Sequence, residues 1–140
     1  ISCSSDDGES QTSNSSILGK WKITNYEEQG QELEECEWLE TKEYLSTGKI
    51  KDTYFYGNNC STQGMNDNTL FTIEGDRLLT REPNGGMNPS KDYKVKYIIR
   101  SLNESTMVLE GYFVDEGVDG ITPTEIPVAE RFTETWQKVN

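Results

Sequence analysis

A chain of 140 residues with 25 Asp and Glu, 13 Lys and Arg and no His carries a formal charge of −12. That balance opposes nucleic-acid binding, which needs clustered bases, and the missing imidazoles remove His-based triads, most catalytic zinc centres and the usual general base near neutral pH. With 32% hydrophobic residues, a mean hydropathy of −0.78 and no apolar run near the ~18 residues of a membrane-spanning helix, the chain predicts one domain with an economical core, each strand burying one face.

The first segment, residues 1–16, opens Ile1-Ser2-Cys3-Ser4-Ser5-Asp6-Asp7-Gly8 and continues in Ser, Thr, Gln and Asn. Such a composition cannot bury enough apolar area to offset the entropy of ordering and predicts a flexible tether. Ser2-Cys3 resembles the end of a bacterial lipobox, in which a small residue precedes a cysteine that is cleaved and acylated. Ser5-Asp6-Asp7 resembles a surface-export signal of lipoproteins in bacteria with two membranes. The resemblance implies a signal peptide upstream and a lipid anchor at Cys3, which would be the chain's sole membrane attachment. The bland alternative is a stray thiol in a tail. The expected location is the cell envelope of a two-membrane bacterium, at the outer membrane, with surface exposure as the variant that the acidic triplet allows.

From Leu18 the chain reads as strands. Leu18 to Tyr26 comes first, then Trp38 to Ser46, a turn at Thr47-Gly48, and Lys49 to Tyr56. Asn68 to Glu74 turns at Gly75-Asp76 into Arg77 to Glu82. Asp92 to Arg100 places Tyr93, Val95, Tyr97 and Ile99 at period two. A short Leu102-Asn103-Glu104 connection leads to Ser105 to Val114, and Val128 to Lys138 closes the series. These are about eight strands, with no 3.6-residue apolar period.

Connections after the first, third, fifth and seventh strands are long (about residues 27–37, 57–67, 83–90 and 115–127), and the others are tight. In an antiparallel meander every second connection lies at one end, so the expected fold is all-β: an eight-stranded up-and-down meander closed as a small barrel over residues 17–140, open at one end. Cys36 precedes the second strand and Cys60 follows the third, both at the open end, and a disulfide between them fits that layout and an oxidising compartment. Two reduced thiols are the alternative.

Gly19-Lys20-Trp21 resembles the Gly-x-Trp motif that opens lipocalins. With the meander and the closing Glu130-Arg131-Phe132-Thr133-Glu134-Thr135-Trp136 strand, residues 17–139 resemble the lipocalin-like domains of bacterial lipoproteins. The resemblance implies that Trp21 seals the closed end and that Arg131 is a candidate to pack across it as a cation on the ring. Carriage of a hydrophobic ligand is likewise an implication of the resemblance.

The long connections contain Glu27, Glu28, Glu32, Glu34, Glu35, Glu37, Asp67, Asp115, Glu116, Asp119 and Glu125 with no Lys or Arg. Glu32, Glu34, Glu35, Asp115 and Asp119 are candidates for an acidic rim that would favour cationic or neutral ligands, or a basic protein surface, over anions. Solvated loops that keep a domain soluble explain the same pattern. Asp115 to Gly120 partly resembles a calcium loop, but it lacks a ligand at its third position and Ile126 takes the closing Glu's place, so no metal is expected. Tyr44, Tyr54, Tyr56, Tyr97 and Tyr112 are candidates to line a cavity, core packing being the alternative. Met65 and Met87 are candidate contacts at the mouth.

No cofactor or catalytic residue is expected. The functional expectation is a monomeric, non-enzymatic envelope lipoprotein binding a small neutral or cationic, partly apolar ligand. A protein-interaction module using the acidic loops around a filled barrel is the alternative, and a carboxylate-dependent hydrolase is the third.

Overall fold

The computed structural model describes residues 17–83, 92–115 and 124–140. Among the described residues nine strands form one antiparallel sheet: β1 (Gly19–Glu27), β2 (Thr41–Tyr44), β3 (Lys49–Tyr56), β4 (Thr62–Glu74), β5 (Arg77–Glu82), β6 (Tyr93–Leu102), β7 (Thr106–Asp115), β8 (Thr124–Glu125) and β9 (Phe132–Val139). β1 to β7 pair in chain order, β9 pairs with both β7 and β1, and the ring closes. The two-residue β8 continues β9's place along β7, pairing at Phe113 and Val114 beyond the stretch that β9 covers. The barrel is therefore eight-stranded, and closure leaves its long strands without a free edge.

Three boundaries differ from the sequence expectation. Residues Glu35–Leu39 form a 3-10 turn before β2, so that strand starts at Thr41 instead of Trp38. Val128–Glu130 form another before β9. β4 starts at Thr62, six residues earlier than Asn68, because Thr62 to Asn66 pair with Tyr56 to Asp52 and extend the β3 hairpin. The long connection expected over 57–67 thus shrinks to residues 57–61, and Met65 and Asp67 lie on a strand.

Four bulges among the described residues set the shape: Thr24 in β1, the Asp67-Asn68 region of β4, Arg100 in β6 and Tyr112 in β7 each insert backbone without a cross-strand partner. Each resets which alternate residues face inward. The lower half of the barrel is apolar and packed: Trp21, Ile23, Tyr44, Ile50, Phe71, Leu78, Ile99, Met107, Leu109 and Trp136 are all at most 7% exposed. Tyr44 meets Phe71 edge-on at 5.1 Å.

Trp21 closes the bottom. It has no exposed surface, and its indole Nε1 donates to Ile17 O at 2.8 Å. The cation over its ring is Lys138, whose Nζ lies 4.5 Å from the ring centroid and donates to Leu18 O at 2.7 Å. Arg131 does not take that place. It immediately precedes the last strand at the opposite end, where its guanidinium reaches Glu110 at 3.1 Å and Glu125 at 3.5 Å and Nε donates to Ile126 O. Lys138 lies seven residues further along β9, which crosses the whole barrel and so brings a different base to Trp21. Glu110 also binds Arg100 at 2.7 Å, and although burial pushes its carboxyl up, the two guanidinium contacts win and hold it below the ordinary range.

At the open end Cys36 and Cys60 form a disulfide with Cα atoms 5.3 Å apart. It joins the Glu35–Leu39 turn to a second 3-10 turn, Asn58–Cys60.

Candidate functional site

Side-chain parity along the strands decides what the open half of the barrel contains. On β3, Ile50 faces the core, so Asp52, Tyr54 and Tyr56 point the same way above it. On β2, Lys42 shares the face of core Tyr44, and on β9, Glu134 shares that of Trp136. Tyr26 enters the ring because the β1 bulge restores inward parity and sets it opposite Glu134. The interior thus changes character with height: apolar at the base, charged at mid-depth, aromatic towards the mouth.

The charged layer holds Glu40, Lys42, Asp52 and Glu134. Lys42 Nζ lies 3.9 Å from Glu40 and 5.7 Å from the centroid of the Trp136 ring, and Trp136 Nε1 donates to Glu134 Oε1 at 3.0 Å. Lys42 and Glu40 keep 27% and 24% of their side-chain exposure, so both remain in contact with water. Burial pushes Glu40 up to about 8 despite Lys42, with a hydrogen bond to Asp52 adding to the rise. Glu134 is also raised, chiefly by burial. Burial pulls Lys42 down, but Glu40, Asp52 and Glu134 outweigh it and hold its ammonium above the ordinary value. Among the described residues, buried Asp52 Oδ1 has no hydrogen-bond partner.

Three carboxyl groups around one ammonium make stability pH-dependent. Glu40 is raised in the fold, so the stability it contributes is present below its unfolded value near 4.5 and declines as pH rises towards about 8. Allowing for the water at Glu40, the expected loss is on the order of 1 kcal/mol between pH 6 and pH 8, and Glu40→Gln should flatten that part of a Tm-against-pH curve. Lys42→Met should cost about 2 kcal/mol at pH 8, below the figure for a fully buried pair, and distinctly less at pH 5, where protons replace the ammonium as neutraliser. A pH-independent cost measured by urea denaturation would refute the cluster's electrostatic role.

Around the mouth, Tyr26 stacks on Phe132 at 6.1 Å and donates its hydroxyl to Glu28, while Tyr97 meets Phe132 edge-on at 6.0 Å. Two glycines make these rings fit. A Cβ on Gly111 would lie 2.0 Å from the Phe132 ring, and one on Gly64 2.4 Å from that of Tyr54. Tyr54 and Tyr56, 6.1 Å apart, are 40% and 52% exposed.

Of the five tyrosines singled out by sequence, Tyr44 and Tyr97 lie in the core and Tyr54 and Tyr56 share its face near the mouth. Tyr112 does not line the interior: it is the bulged residue of β7, placed on the outer wall between Arg77 at 5.1 Å and Arg131 at 5.7 Å. Of the rim acids, Glu32, Glu34 and Glu35 lie exposed on the β1–β2 connection, and Glu37 accepts from Glu34 N at 2.7 Å. Asp115 ends β7 opposite Lys94. Asp119, Met87 and Cys3 lie outside the described residues. Glu125, on a connection without bases of its own, is met by Arg131 from outside that connection.

A family model described as a lipocalin-like domain matches residues 17–109, from the residue that Trp21 bonds to the middle of β7. The chain belongs to the lipocalin-like domain family. A search of curated proteins found no match. In this lipocalin-like domain Trp21 stands at the closed pole and the charged layer lies between it and the mouth. Sequence reasoning missed Tyr26, Glu40, Lys42, Asp52 and Glu134. The signal was present for three of them, since Lys42, Asp52 and Glu134 each stand two residues from a core side chain.

Proposed function

We propose that the lipocalin-like barrel binds a small, partly apolar ligand that is neutral or cationic, and performs no chemistry on it. The carrying observation is the mid-depth layer of three carboxyl groups against one ammonium beneath an aromatic mouth. A ligand cation there would gain Asp52 Oδ1 as an acceptor, while its apolar part would lie against Tyr26, Tyr97 and Phe132. An anion would meet the carboxyl groups and the exposed acids of the β1–β2 connection first.

The test uses three probes of similar apolar bulk: N-phenyl-1-naphthylamine, dodecyltrimethylammonium and dodecanoate. The indole N–H resonance of Trp136 reports the layer. The first two should shift it saturably, with Asp52→Asn and Glu134→Gln weakening the cation at least tenfold and the neutral probe little. Dodecanoate should leave it unmoved. An unmoved resonance with all three, or a shift with dodecanoate alone, would sink the reading.

The domain is further proposed to be tethered in a bacterial envelope through a lipid on Cys3. Ser2-Cys3, the polar stretch behind it and the use of a disulfide support this. Intact mass of protein extracted from membranes should exceed the polypeptide mass by that of a diacylglyceryl group, and Cys3→Ser should abolish the excess.

A further inference from the structure

The outer wall of β1 to β4 forms a groove of about 580 Å³, within the range of small-ligand sites. It exists because β2 is only four residues long: the Glu35–Leu39 turn caps the gap between β1 and β3, and the long β4 flanks the far side. Cross-strand register orders what lines it. The row nearest the closed end is Lys20, Glu43 and Lys51, each opposite the next. The next row runs from Lys22 through Thr41 and Thr53 to Met65. Towards the open end lie Phe55 and Leu39.

The groove is thus cationic at one end and apolar at the other. Leu39 and Met65 are 42% and 50% exposed. Lys22 donates to Trp38 O, while Lys20 and Lys51 make no ion pair within 4.0 Å among the described residues. Three ammonium groups against the single carboxylate of Glu43 leave this strip positive in a chain of charge −12. Its charge is opposite to that of the mouth, and it opens on the other side of the wall.

We propose that this groove is a second binding site, for a single-chain anionic amphiphile whose head group lies among Lys20, Lys22 and Lys51 and whose chain runs along Met65, Phe55 and Leu39. Charge complementarity selects the head group, and the length of wall from Lys20 to Leu39 accepts an extended apolar chain, with stems of the lysines adding apolar cover. The site is independent of the barrel interior and stands whether or not that interior binds a cation.

Dodecanoate, below its micellar concentration, is the probe, and the methyl resonance of Met65 is the reporter. Dodecanoate should shift that methyl saturably with one-to-one stoichiometry while the Trp136 indole stays fixed. Lys20→Glu with Lys51→Glu should weaken it at least tenfold, and Lys51→Met alone, which keeps the bulk, severalfold. Circular dichroism checks that both variants fold, and dodecyltrimethylammonium at the Trp136 indole should bind them as it binds the unmodified protein. The proposal is overturned by an unsaturable or absent shift at Met65, by equal affinity in the charge-reversed variant, or by binding only to anionic vesicles and not to the monomeric amphiphile.

Discussion

Trp21→Ala should cost the domain about 4 kcal/mol and lower its Tm by roughly 12 to 20 °C. The ring has no exposed surface and fills the base of a closed barrel, where eight strands meet and cannot collapse onto a void. Its removal also takes the donor from Ile17 O and the aromatic face from beneath the Lys138 ammonium. Trp21→Phe keeps a ring but no N–H, and should lose about 1 to 2 kcal/mol. Urea denaturation followed by circular dichroism separates the two, and a loss below about 1 kcal/mol for alanine would show that the base is not sealed by this residue. Because Trp21 lies at the pole away from the mouth, folded Trp21→Phe should bind the neutral probe unchanged.

Loss of the disulfide, as Cys36→Ser with Cys60→Ser, should cost about 3 kcal/mol. Its cysteines are 24 residues apart, and closing a loop of that size contributes about 3 to 4 kcal/mol in the chain-entropy model. Backbone strain offsets part of this: Asn59 and Cys60 both have φ in the left-handed region, at 56° and 55°, which cysteine adopts reluctantly. Freed from the bridge, the Asn58–Cys60 turn can relax and recover some of that energy. The variant should therefore lose slightly less than loop closure alone implies, and the deficit should be mirrored by dithiothreitol treatment of the unmodified protein. A variant as stable as the parent would show that the open end is held by its turns alone.

How far the fold was legible follows from where side chains obey simple alternation. Tyr93, Val95, Tyr97 and Ile99 announce β6 because every inward residue is apolar. Tight turns at Gly48 and Gly75, both with positive φ, punctuate the hairpins at positions that favour glycine. Counting strands and the ends they share placed the disulfide and the two poles. The site was harder to read for a physical reason. On β2, β3 and β9 the inward residues include Lys42, Asp52 and Glu134, so hydropathy blurs at the positions where the barrel keeps its charges. Bulges blurred the rest: Tyr112 directly follows inward-facing Gly111, so alternation turns its ring outward, and the residue inserted there then brings Val114, not Phe113, to the interior. The partner of Trp21 was misassigned because Arg131 stands just before β9 and Lys138 near its end, and only the register with β1, Trp21 opposite Lys138, tells which base reaches the bottom.

Pairing of β1 with β9 means that the Lys138 ammonium is held by a carbonyl 120 residues earlier in the chain. A ribosome delivers those two partners at the start and finish of the domain, so the cylinder cannot shut until the last strand has emerged. Until then β1 and β7 are both unpaired edges, open to a second copy of the same chain. Folding dominated by such distant contacts is slow, and removal of the final eight residues should convert a soluble barrel into an aggregating sheet with two sticky rims.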